Sequence, residues 1–112
     1  MSASRRYLYV APNLADIAVI TSEALFDTTE RHKVTLKIGK LTTLVDPRQE
    51  VTRHGELAGV VVGMERGWPG AAHLRFAKAM LSRGFRIWFY WPTEQAVELI
   101  DHERVRSYWR LW

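Results

Sequence analysis

Two apolar runs restrict this chain more than anything else in it. Leu57 to Val62 carries no charge, and Phe85 to Trp91 is interrupted only by Arg86. Between them Pro69 to Gly84 alternates apolar and polar residues at helical spacing. Continuous apolar runs separated by one amphipathic segment are the pattern of two buried parallel strands joined by a crossover helix. The punctuation agrees. Pro69 suits a first helical turn, where a missing amide costs nothing, and Gly84 suits a left-handed cap at the other end. His73, Phe76, Ala77, Met80 and Leu81 form the stripe expected to be buried, with Arg75, Lys78 and Ser82 opposite it.

The remainder is read around that unit. Arg5 to Ala11 is a predicted strand ended by Pro12-Asn13. Asn13 is placed as the cap of a helix whose stripe is Leu14, Ile17, Ala18, Thr21 and Leu25. Val34, Leu36 and Ile38 alternate with Thr35 and Lys37, predicting a half-exposed edge strand. Leu41 to Val45 is a short apolar patch, Asp46-Pro47 a turn, and Arg48 to His54 a loop or one loose helical turn. Thr93 is placed as the cap of a last helix carrying Val97, Ile100 and Tyr108, with a kink or a second short helix from Asp101 as the alternative.

This order predicts one α/β domain over residues 1–112. It would be a small three-layer sandwich with a mostly parallel four-stranded sheet in the order 2-1-3-4, as in flavodoxin-like and Rossmann-like folds. Its fourth strand, FRIWFYW, would then be a long apolar edge needing cover from the C-terminal segment, a second copy or another protein. A phosphoacceptor receiver shares this fold class. It needs acids after the first strand and an Asp ending the third. Here the third run ends Val62-Gly63 and Asp16 falls within a predicted helix, so a receiver-like body without a phosphoacceptor is all that is expected.

Several kinds of chemistry lack their residues. The chain has no cysteine, which removes disulfides and thiolate nucleophiles and fits a reducing, cytoplasmic setting. Its four histidines stand apart with no metal-ligand spacing, and His73 is expected to be a hydrogen-bonded core residue. No serine lies in a GxSxG elbow. No cofactor, metal or catalytic residue is assigned. Neither a membrane-spanning run of about 18 apolar residues nor a secretory leader is read in the sequence.

Two stretches are candidate sites. In parallel sheets ligands bind beyond the carboxyl ends of the strands, a rim that would include Met64, Glu65, Arg66, Trp68, Trp91, Thr93 and Glu94. The Gly63–Gly70 turn predicts a site for an anionic, phosphate-bearing ligand held by Asn13, Glu65, Arg66, Trp68 and Thr93, although it matches no phosphate-loop fingerprint. The second stretch is aromatic and basic. Trp88, Tyr90, Arg106, Tyr108, Trp109, Arg110 and Trp112 mix the residues enriched at interface hot spots. The leading expectation is a non-enzymatic interaction module that dimerises or docks on a larger assembly through this region. A small enzyme or ligand sensor at the turn is the alternative. A net charge of +4 and a pI near 9.8 add non-specific nucleic-acid binding as a third.

Overall fold

A computed structural model describes residues 4–43, 57–65 and 67–111. Its strands are β1 (Ser4–Val10), β2 (Asp16–Glu23), β3 (His32–Lys33), β4 (Thr42–Thr43), β5 (Gly59–Gly63), β6 (Ile87–Trp91) and β7 (Ala96–Ile100). Its helices are α1 (Ala71–Ser82), between β5 and β6, and α2 (His102–Arg110), after β7. All seven strands form one mixed sheet in the order β3-β7-β6-β5-β1-β2-β4.

The two apolar runs do lie side by side. β5 pairs with β6 in parallel, Val61 opposite Trp88, and α1 connects them. β5 also pairs in parallel with β1. Leu74, Ala77 and Met80 are the buried positions of α1, and Gly84 adopts φ 88° just beyond its end.

The flavodoxin-like, mostly parallel four-stranded sheet is not what forms, and the receiver-like reading falls with it. Two stretches predicted as helices are strands. Residues 16–23 make β2, antiparallel to β1 through a tight turn. Asn13 closes that turn instead of capping a helix. Its Oδ1 accepts from the amides of Ala15 and Asp16, its Nδ2 donates to Asp16, and Leu14 takes φ 60°. Ile17 joins the core on one face of the sheet and Ile20 the core on the other. Opposite burial three residues apart is strand parity, whereas a helix would put both on one side. Residues 96–100 make β7, antiparallel to β6. Thr93 therefore lies in a hairpin turn, where Gln95 has φ 48°. The last helix starts only after Asp101, whose Oδ1 accepts from the Arg104 amide at 2.7 Å.

The addition of β7 changes the surface most. β6 was expected to be a bare edge, but it sits between β5 and β7 with both sides of its backbone paired. All five of its residues are buried. The physical reason for expecting an associating edge is therefore gone.

Both helices cover one face. Leu8, Val10, Val60, Val62, Ile87 and Phe89 pack there against Leu74, Ala77, Met80, Val105 and Tyr108. The opposite face carries Tyr7, Tyr9, Trp88 and Tyr90. It is covered by an irregular strap, residues 24–41, through Leu25, Val34, Leu36, Ile38 and Leu41. The predicted edge strand at 34–38 belongs to this strap. Its alternation holds, with Leu36 buried and Thr35 and Lys37 exposed, but its backbone crosses the sheet face instead of extending the ladder. The four rings fit because β5 offers glycine between them. A Cβ on Gly59 would stand 2.3 Å from the Trp88 ring, and one on Gly63 would stand 2.2 Å from the Tyr9 hydroxyl. The turn and loop expected at 46–54, together with Leu44 and Val45, lie outside the described residues.

Candidate functional site

The carboxyl ends of β5 and β6 open toward the helix-covered face. The loop leaving β5 presents Gly67 and Trp68 there, and β6 ends at Trp91. The Trp91 indole N–H donates to the Gly67 carbonyl at 2.9 Å, tying loop to strand. α2 approaches from the other side with Arg104 and Tyr108. These two are four residues apart and so share one helical face.

Beneath them lies Glu98, an acid on β7 that is 4% exposed. One carboxylate oxygen accepts from the Tyr108 hydroxyl at 2.5 Å, the other from Arg104 Nε at 3.0 Å. The Arg104 guanidinium also lies 4.2 Å from the centre of the Tyr108 ring. A buried acid needs such partners, since an unpaired one costs several kcal/mol. Burial pushes the Tyr108 hydroxyl well above the usual phenol range, and its hydrogen bond to Glu98 adds to that. Burial alone would lower the Arg104 pKa, but Tyr108 and Glu98 beside it reverse the sign and raise it.

A second ion pair stands nearer the solvent. Arg31, from the strap, pairs with Glu94 of the β6–β7 turn and lies 3.9 Å from the centre of the Trp91 ring. Its side chain is 38% exposed and that of Glu94 51%.

These groups line a hollow of about 240 Å³ bounded by Arg31, Gly67, Trp68, Trp91, Glu94, Glu98, Arg104 and Tyr108. A second hollow of about 290 Å³ shares Trp68 and Tyr108 and adds Pro69, Gly70 and Leu111. Both lie just below the roughly 300–1,000 Å³ of a drug-sized pocket and have room for a single ring-sized group. Trp68 dominates both. It is 65% exposed, yet its ring meets that of Tyr108 at 72° with centroids 5.5 Å apart.

Of the described residues predicted to hold an anion at the turn, only Trp68 lines these hollows. Asn13 is at the β1–β2 turn, Glu65 is exposed on the loop, and Thr93 is exposed in the β6–β7 turn. Arg66 lies outside the described residues, as does Trp112. Of the predicted interface, Tyr108 is a wall of both hollows. Trp88 and Tyr90 are buried under the strap at 1% and 3% exposure and present nothing to a partner. Arg106 and Arg110 are exposed on α2, and Trp109 is 37% exposed.

The sequence reading placed Trp91 and Glu94 on the rim but missed Arg31, Glu98 and Arg104. Arg31 arrives from a distant segment, and nothing in its surroundings in sequence announces that. Glu98 and Arg104 were legible in part. An acid in an otherwise apolar run, AVELI, needs a buried partner, and the following helix offers a cation and a phenol one turn apart.

His73 proves to be a tie between elements. Its Nε2 donates to the Pro12 carbonyl at 2.8 Å, fastening α1 to the β1–β2 turn. Among the described residues no group of His, Asp and Glu could hold a metal ion, and no helix is long and apolar enough to cross a membrane. Compared with protein-family models, with curated proteins and with solved structures, the chain matches none of them.

Proposed function

We propose that the chain is a non-enzymatic recognition module whose binding site is the rim around Trp68. The two stretches singled out in the sequence, the Gly63–Gly70 turn and the C-terminal region, contribute to one site because α2 stands against the turn. The observation that carries the reading is Trp68 itself. A largely exposed indole costs free energy in water, and this one lies against Tyr108 where it lines two ring-sized hollows. Large, rigid, amphipathic side chains in such settings are the usual anchors of bound groups.

The chemistry beside it favours binding over turnover. Both Glu98 oxygens already accept hydrogen bonds, and the Tyr108 proton is directed at Glu98 with its pKa raised. The Tyr108 hydroxyl is therefore poorly placed to give its proton to a substrate near neutral pH, and Glu98 has no free oxygen to offer one.

A thermal-shift screen tests the reading. Oligosaccharides, nucleosides, amino acids and inorganic phosphate are each added to the parent chain and to Trp68→Ala. One class should raise the melting temperature of the parent by several degrees and leave the variant unmoved. A screen in which no compound separates the two proteins refutes the proposal. Stabilisation by phosphate or by nucleic acid that fades steeply with salt would favour the anion-binding alternatives instead.

A further inference from the structure

We infer that the group this rim takes is a saccharide: a neutral ring with one apolar face and neighbouring hydroxyls on its edge. The inference rests on the recognition-module reading and names its ligand class.

Charge balance is the first reason. The polar hollow contains two guanidiniums and two carboxylates, and each cation is matched to an acid, Arg31 to Glu94 and Arg104 to Glu98. Among the described residues, an anion entering here finds no uncompensated cation, and a cation finds no uncompensated acid. Either would lose its hydration without gaining a charged partner, which is unfavourable. A neutral ligand avoids that cost.

The geometry also disfavours an aromatic cage for an ammonium group, which is the second reason. Three rings meet at the hollow, but the protein's own arginines stand over two of them. Arg31 is 3.9 Å from the Trp91 centroid and Arg104 is 4.2 Å from the Tyr108 centroid. Over these two rings the position a ligand cation would use is therefore filled, which leaves Trp68 alone and no cage of several open rings.

The third reason is complementarity. The Arg31–Glu94 pair is partly exposed and is held by one contact. A guanidinium has five N–H donors and a carboxylate about four acceptor sites, so this partly exposed pair keeps capacity to spare. A donor fork beside an acceptor matches a pair of adjacent hydroxyls, each of which both donates and accepts. The broad face of Trp68 supplies what the other side of a pyranose needs. Its axial C–H groups pack on a flat π surface, and Tyr108, Pro69 and Leu111 extend the apolar wall in the second hollow.

The test is a fluorescence titration of the full chain with hexasaccharides of glucose in α-1,4 and β-1,4 linkage, of N-acetylglucosamine, of xylose and of mannose. Circular dichroism of each variant first establishes that it is folded. At least one sugar should change the tryptophan emission saturably at micromolar to millimolar concentration, with little dependence on salt. Trp68→Ala should weaken that binding about tenfold or more, in line with the worth of a stacked ring. Glu94→Gln, which keeps the shape and removes the charge, should weaken it by a smaller factor. The proposal is overturned if none of the five sugars gives a Trp68-dependent change up to millimolar concentration. If nucleosides or amino acids stabilise the chain through Trp68 while the sugars do not, recognition at the rim stands and the saccharide falls. If no class does, both fall.

Discussion

The two faces of the sheet are built from the same strands but held by different means. On the helix-covered face, aliphatic side chains and Phe89 pack against α1 and α2. A helix satisfies its own backbone, so its packing needs only the apolar stripe. On the other face Tyr7, Tyr9, Trp88 and Tyr90 lie beneath a strap with almost no regular structure. An irregular backbone cannot satisfy itself and must be fastened from outside. The Leu25 amide donates to the Tyr7 hydroxyl at 3.0 Å, and the Val34 amide donates to the Gln95 carbonyl at 2.8 Å. Asp27 pairs with Arg86, and Arg31 with Glu94. The strap therefore adds individual polar contacts to its apolar cover, whereas the helices need them less for their backbone. The rim around Trp68 lies where the two arrangements meet, because the strap contributes Arg31 and α2 contributes Arg104 and Tyr108.

This contrast makes ranked predictions. The largest effect is expected from Phe89→Ala at the centre of the helix-covered face, where the ring is fully buried. It should cost about 3–5 kcal/mol. Denaturant unfolding should show a lowered midpoint with both faces lost together. If the strap side stayed protected in hydrogen exchange while the helices opened, the two cores would be independent, contrary to one shared sheet.

Tyr7→Phe leaves the ring in place and removes the acceptor of the Leu25 amide. An unpaired buried amide costs about 1–3 kcal/mol. The loss should be local: faster amide exchange in residues 24–41, with α1 and α2 unchanged. Equal acceleration everywhere would mean that the strap is part of the global folding unit.

The third test is alkaline. Burial, with Tyr90 beside it, pushes the Tyr9 phenol from 10.0 up to about 12. The unfolded chain then loses this proton first. The stability it contributes is fully present below pH 10 and disappears as pH rises toward 12. Tyr108 on the helix-covered face adds to the same trend, so Tyr9→Phe should flatten the alkaline unfolding curve without abolishing it. A parent and variant with superimposable curves would contradict this.

The smallest effect belongs to Asp27→Asn. Its partner Arg86 is 40% exposed and Asp27 66%, so the pair is worth less than about 1 kcal/mol and is screened by salt. A larger loss, or one indifferent to salt, would show that the strap is clamped more tightly than exposed charges allow.

What was legible in advance follows from the reach of each signal. Burial parity is local. Val34, Leu36 and Ile38 announce one buried side, and they do bury it. The same pattern says nothing about whether that segment's amides pair with a neighbouring strand or lie across a sheet. The β1–β2 hairpin was hidden for a related reason. Ile17, Ala18, Thr21 and Leu25 also fit a helical stripe, and only the pairing with β1 makes the extended form win. The dense β-branched run Ile17, Val19, Ile20 and Thr21 was the available warning. For the site, the turn at Gly63–Gly70 and the C-terminal helix were each visible as unusual. Their meeting depends on β7, which places Glu98 under α2.

Residues near one another in sequence settled the parallel pair of β5 and β6 and the helix between them, and Ala77 and Met80 of its buried stripe, though not Leu74. They did so because an uncharged run and an amphipathic stripe can be stable in few other ways. The tertiary structure alone decided that β7 flanks β6 antiparallel, that β2 pairs antiparallel with β1 on the far side, that a strap covers the aromatic face and that Arg31 reaches the rim. An extended segment carries unsatisfied amides on both edges, and which partner meets them is chosen by contacts between residues far apart in the chain.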